Sequence, residues 1–336
     1  MVRYIAVRLL SLIPSLFGLI LLTFIMLHAV PADPVTSLAG ENASPEQVAE
    51  LRARFGLDKP LVEQFGIYVW QILQGDLGNS IFSNRPVLEE ILARLPATLE
   101  LITFALVLAA FVGITLGTIA AVRHNGPIDN IVRAVTISGL AIATFWVAII
   151  LQMVFSMELN WLPLRGRFDV AYPAPPLITG FLLIDSLLAL DLTAFGIAAQ
   201  HLAMPMITLA IPAIATIARF TRSGVLETMQ KEFVDYASAV GYRRNRLIWI
   251  YVLKNSLSVV IMQLGLLFGA LIGGAVAIEA IFDWPGIGSY AVNAILNFDY
   301  KAVLGVTIII GIIYGIVNII VDIIHAFVDP RLREGI

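Results

Sequence analysis

The chain has 336 residues, of which 59% are hydrophobic and 13% charged, with a formal net charge of −3 and a mean hydropathy of +0.90. Soluble domains are about half apolar and about a quarter charged, so a soluble fold is excluded and a lipid-embedded one expected. The net charge gives no reason to expect nucleic acid as a partner, which needs a concentrated basic face. The absence of cysteine excludes disulfides, thiolate metal sites and cysteine nucleophiles.

A bilayer core of about 30 Å needs about 20 mostly apolar helical residues. Six stretches qualify: 9–29, 98–122, 131–156, 202–218 with its flanks, 256–278 and 303–327. The first follows Arg3 and Arg8 and reads as an uncleaved anchor. Its apolar run exceeds the roughly 7–15 residues of a signal-peptide core, and Pro31 lies inside the would-be cleavage site Val30-Pro31-Ala32.

In the polar segment 30–97, Val48, Leu51, Phe55, Leu57, Leu61, Phe65, Tyr68, Val69 and Leu73 fall largely at helical intervals. The spacing predicts two or three short amphipathic helices between Ser44 and Gln74. Gly75-Asp76-Leu77-Gly78-Asn79-Ser80 ends them with turn-forming residues. The segment 157–200 is rich in Pro and Gly and predicts a structured loop.

Residues 219–254 form the other long polar stretch. Phe233, Tyr236, Ala237 and Val240 make a helical stripe, and Gly241 follows where a left-handed residue would end the helix. A second helix from about Asn245 would leave at a new angle, with Ala237, Ser238 and Ala239 small enough to let another protein approach. Two readings stand side by side: a docking knob for a protein, or an amphipathic helix on anionic lipid with Arg243, Arg244 and Arg246 on headgroups.

Six spans put both termini on one side of the membrane. Of the 21 Lys and Arg residues, 13 lie on the side of the termini and of 219–254. Five of the other eight fall in 30–97, a segment too long to count, so the comparison is 13 against 3 and both termini are cytoplasmic. The segments 30–97 and 157–200 then face outward. The expected organisation is a first helix with an outer helical segment, 1–97, followed by a five-helix core, 98–336.

Ionisable groups inside a bilayer cost about 2.5–3.5 kcal/mol each at the helix centre, and the spans read as almost free of them. Gln152, Gln263 and Asn318, with Asp322 one turn beyond Asn318, are candidates for a pathway or for helix packing. Gly265, Gly269, Gly273 and Gly274 suggest a tightly packed face on the fifth span. His28, His124, His201 and His325 are scattered, and there is neither an HExxH nor a GxxxxGK[ST] motif. No catalytic, metal or nucleotide site is expected, and an intramembrane enzyme is disfavoured because no catalytic pair lies in the spans.

The spacing Asp235-Tyr236-Ala237 then Gly241 resembles the EAA loop of ABC-importer permeases. Further stretches are similar to the B-type membrane subunit of dipeptide and oligopeptide importers. These are Pro31-Ala32-Asp33-Pro34, Gly56-Leu57-Asp58-Lys59-Pro60, Gly75 to Ser80 and Pro96-Ala97-Thr98-Leu99-Glu100-Leu101. They continue with Trp161-Leu162-Pro163, Gly180-Phe181, Ile184-Asp185, His201-Leu202 with Pro205, Glu279 with Phe282, Trp284-Pro285-Gly286-Ile287-Gly288 and Asp329-Pro330-Arg331.

The resemblance runs nearly end to end and implies a type I ABC-importer permease fold in a bacterial inner membrane. It implies a second related permease, two cytoplasmic ATPases that hold ATP and Mg, and an extracytoplasmic substrate-binding protein, while this chain binds no cofactor. Residues 233–247 would couple to the ATPases, with Asp235, Ala237 and Gly241 at the matched positions. The cargo implied is a short peptide, with nickel, glutathione or oligosaccharide as alternatives. Ser238, Val240 and Tyr251 depart from residues common in the family, as does the lack of a proline near Ser258.

Overall fold

The computed structural model describes residues 2–29, 44–55 and 58–328, and among these the only extended pairing is an isolated bridge between Asn79 and Pro86. The motifs at 31–34 and 329–331, and Gly56-Leu57, lie outside the described residues. In chain order the helices are α1 (Val2–Ala29), α2 (Pro45–Phe55), α3 (Leu61–Leu73), α4 (Val87–Val122), α5 (Pro127–Ala141) and α6 (Thr144–Leu151), which runs on as π-helix through Glu158. They continue as α7 (Leu182–Leu188), α8 (Leu192–Met229), α9 (Glu232–Ala239), α10 (Arg244–Ile281), α11 (Ile287–Leu296) and α12 (Tyr300–Val328).

Each expected apolar stretch lies on helix. α4, α8, α10 and α12 are long and apolar enough to cross a membrane, and α1 carries the shorter apolar run Leu10–Met26. The third stretch is not the single rod that its composition predicts. Ile142 and Ala143 are extended, with ψ of 131° and 125°, and α5 and α6 meet at 99°. The α5 ladder closes with Ile142 N–H on Ser138 O, and the next begins with Trp146 and Val147 N–H on Ala143 O. Hydropathy is blind to such a break, because the residues on both sides of it stay apolar.

The chain forms two compact units, 1–96 with 285–315 and 97–284 with 316–336. In the first, Ile20, Phe24, Tyr68, Val87, Ile91 and Ala302 belong to one buried apolar cluster. Phe65 meets the Phe17 and Phe24 rings edge-on at 5.9 and 5.2 Å. The Gly75 to Ser80 turn has a physical basis: both glycines take positive φ, +79° and +76°, and Asp76 accepts the Gly78 N–H at 2.7 Å. Ser80 then donates to Asp299. Ser44 opens α2 by a reciprocal cap with Gln47.

In the second unit α8 packs against α5, α6, α7 and α10, and it also meets α4. Gly113 and Gly117, one turn apart on α4, bring the two backbones together. A Cβ on Gly117 would lie 2.5 Å from Ala218 O, and one on Gly113 would lie 2.8 Å from Ile217. Small residues at such a crossing replace the hydrophobic drive that lipid does not supply. The fifth-span glycines divide: a Cβ on Gly265 would strike Val321 at 2.9 Å and one on Gly274 would come within 3.2 Å of Leu209, while Gly273 faces open space.

Candidate functional site

The stretch 219–254 is more helical than a loop. α8 runs on to Met229, and α9 begins after Gln230 and Lys231. Its end is a Schellman cap, in which the Gly241 N–H reaches Ser238 O at 3.0 Å and the Tyr242 N–H reaches Ala237 O at 3.1 Å. Gly241 supplies the φ of +91° that this requires. α10 then starts at Arg244 and contains a π-helical turn, Leu247–Val252.

The side facing inward is carried by a residue outside the predicted stripe. Val234 is buried with Ala121, Val225, Leu247 and Val252, and Ala237 packs against that cluster at half exposure. Phe233, Tyr236 and Val240 point outward and are 37%, 74% and 60% exposed. Asp235, Ser238, Ala239, Gly241, Arg243 and Arg244 are exposed as well. The predicted coupling residues thus sit together on a knob whose underside is fixed to α4, α8 and α10. Tyr251 is used within the chain, edge-on to Tyr242 at 5.4 Å.

Beside the knob lies a buried ion pair that sequence reading missed. Arg222 of α8 donates through Nε and Nη2 to Asp129 of α5 at 2.6 and 2.7 Å, and the Asn125 N–H adds a bond at 3.0 Å. Asp129 is fully buried, and the bidentate fork is the geometry that Arg favours with a carboxylate. The partners are 93 residues apart, so no local pattern links them.

On the outer side, many residues quoted for the family resemblance converge. Arg167 of the loop 157–200 donates through Nε to Glu100 at 2.9 Å, and Leu183 N–H donates to the same carboxylate at 3.0 Å. Thr98 donates to Glu279, and Trp284 Nε1 donates to Ala97 O at 2.9 Å. His201 meets Gly166 O at 3.0 Å, and Gly166 N–H donates to Phe282 O at 2.8 Å. Glu100 and Glu279 are buried; Glu100 is the ionisable group inside the stretch 98–122, and Glu279 follows the stretch 256–278 by one residue. Glu100 lies within α4 and Glu279 close to the end of α10, and the hydrogen bonds each accepts offset the cost of its burial.

Asp185 is also buried. Burial pushes its carboxyl up, but bonds from Thr179 N–H and Oγ1, Ile178 N–H and Gly180 N–H outweigh that and hold it below the usual carboxylate range. Asp191 caps α8, and the Ala194 N–H leads in lowering its pKa.

The candidate pathway residues separate. Gln152 donates to Leu164 O at 2.9 Å and Ile281 O at 3.2 Å, tying α6 to the outer loop and to the end of α10. Gln263, Asn318 and Asp322 are half-buried on α10 and α12.

Residues 113–334 match the family described as binding-protein-dependent transport system inner membrane component, and residues 1–102 match the N-terminal region of such membrane components. The di/tripeptide transport system permease protein DppB of Pseudomonas aeruginosa is 40% identical over 335 residues, covering 99% of each chain. The probable D,D-dipeptide transport system permease protein DdpB of Escherichia coli is 40% identical over 318 residues, 95% of this chain and 94% of the other. The glutathione transport system permease protein GsiC of Pectobacterium atrosepticum is 33% identical over 333 residues, 99% of each.

Proposed function

This chain belongs to the binding-protein-dependent transport system inner membrane component family, and on that premise we propose that it is the pathway-forming subunit of an ATP-driven importer of short peptides. Full-length similarity to permeases named for dipeptides and di/tripeptides supports the peptide cargo over the glutathione named for a more distant relative. Nickel and oligosaccharide have no such support among these relatives. The chain works beside a second related permease and two cytoplasmic ATPases, which carry ATP and Mg. An extracytoplasmic binding protein delivers the peptide to the outer segments.

The observation that carries the coupling role is the exposed knob on a rigid base: α9 with Phe233, Asp235, Tyr236, Ala237, Ser238 and Ala239, then Gly241, Arg243 and Arg244. An ATPase groove that receives the knob moves it when the ATPases close. The Val234 cluster and the Arg222–Asp129 pair pass that motion to α8 and α5. A knob lying on lipid would instead need its exposed residues to be dispensable for ATP hydrolysis.

The test is reconstitution of the complete transporter with its binding protein. ATP-driven uptake of labelled dipeptide and peptide-stimulated ATP hydrolysis are expected. Ser238→Trp, on the exposed side of α9, should lower stimulated hydrolysis at least about tenfold, because a large side chain at a closely approached face adds clashes of a few kcal/mol. Normal stimulation in that variant would refute the coupling role, and absence of dipeptide uptake by the wild type would refute the cargo.

A further inference from the structure

A pocket of about 400 Å³ lies on the outer side of the second unit, lined by Ser156, Asn160, Trp161, Asp169, Gln200 and His201 among others. Its volume falls within the roughly 300–1,000 Å³ of small-molecule sites. None of the charges used in the mechanism above belongs to it.

The lining has one charge sign. Asp169 is its only charged side chain with histidine neutral. The nearest arginine in sequence, Arg167, is committed to Glu100 and to Gly180 O, and among the described residues no Lys or Arg pairs with Asp169. Ala171 N–H donates to Asp169 Oδ1 at 2.9 Å, fixing the carboxylate in a turn and leaving Oδ2 available. His201 adds an acceptor by elimination. Its Nδ1 faces Gly166 O at 3.0 Å, and a carbonyl only accepts, so Nδ1 carries the proton and Nε2 of the neutral ring keeps its lone pair. Trp161 is 66% exposed and offers an aromatic surface of the kind that attracts cations.

A fixed carboxylate, a ring-nitrogen acceptor, two side-chain amides and an indole, with no cation among them, match a group that is positively charged and rich in donors. We propose that this pocket is an outer-face binding site for a primary ammonium group, occupied by the amino terminus of a short peptide. The choice of a peptide as the bearer of that ammonium rests on the importer function proposed above. The site recognises backbone charge rather than side chains, which suits a transporter of peptides of varied sequence.

The assay is saturation-transfer NMR on the complete transporter in nanodiscs without its binding protein, with alanyl-alanine, N-acetyl-alanyl-alanine and ethylamine as ligands. Alanyl-alanine should show saturable contact. Acetylation, and separately Asp169→Asn, should each weaken it about tenfold, the scale of one charge-assisted hydrogen bond. Asparagine can still accept the Ala171 N–H, so that variant keeps the turn. Ethylamine should bind more weakly than the dipeptide.

No contact with the wild type, equal binding of the acetylated peptide, or unchanged binding by Asp169→Asn would overturn the site, and ethylamine binding as tightly as the dipeptide would overturn its assignment to peptides. Uptake by the same complexes with the binding protein present is read separately. Import with an Asp169-independent signal refutes the pocket alone, and an Asp169-dependent signal without import refutes the importer function alone.

Discussion

At Gly241 the backbone turns left-handed at φ +91°, and a Cβ there would meet nothing within 4 Å. The position is therefore constrained by conformation, not by space. Gly241→Ala should cost about 1–2 kcal/mol of local strain while leaving the knob in place, read as faster amide exchange at residues 232–242. Proline cannot reach positive φ and removes the Gly241 N–H bond to Ser238, so Gly241→Pro should unseat the cap altogether.

Asp185 gives a pH test. Its folded pKa lies below the ordinary value, so its contribution is complete above the unfolded pKa of about 3.9 and is lost as pH falls through the lower folded value. Thermal unfolding in detergent should show an acid limb below about pH 4 that Asp185→Asn makes shallower. An unchanged limb would mean that the four bonds around this carboxylate do not govern it.

Helix contacts set the next scale. Gly117→Ala should be destabilising although alanine is the better helix former. The added carbon would sit 2.5 Å from a backbone oxygen, and overpacking of this kind costs about 1–3 kcal/mol. A lowered melting temperature is expected, and an unchanged one would mean that α4 and α8 are not in contact. Asp129→Ala leaves Arg222 without its buried carboxylate, a loss of about 3–5 kcal/mol for a broken buried pair. The same melting assay should show a larger drop than Gly117→Ala gives.

These elements also show what a sequence alone can and cannot reveal. The six apolar stretches, the turn at Gly75 to Ser80 and the helix end at Gly241 were legible because each rests on local chemistry: hydropathy, positive φ, a short side chain. The 99° bend between α5 and α6 was not, since Ile142 and Ala143 carry no breaker residue beside them. Nor were Asp129 with Arg222, or Arg167 with Glu100, because partners 93 and 67 residues apart leave no periodic trace. Val234 was missed for a different reason. Phe233, Tyr236 and Val240 of the apolar stripe are exposed, and a single valine outside the stripe carries no periodic sign of being the buried one. The convergence of Glu100, Arg167, Asp185, Glu279 and Trp284 gives the quoted motifs a common purpose: they fasten the outer loop to α4 and to the end of α10.

For the whole molecule, the two ends of the second unit are built differently. The outer end is a lattice of buried hydrogen bonds around charged side chains. The cytoplasmic end is a protruding knob with apolar residues left uncovered. That asymmetry fits a subunit that holds its outer loop firmly and receives force from below. The most direct measurement is site-specific cross-linking. The chain has no cysteine, so Ser238→Cys can be labelled uniquely with a photoreactive maleimide before assembly into the full transporter. Illumination should join residue 238 to an ATPase subunit, with the yield changing between nucleotide-free and ATP-bound states, while Leu190→Cys on the outer side should give no such product. Cross-links from residue 238 to lipid alone, or to the ATPase from residue 190, would contradict the assignment of this knob and the orientation of the chain.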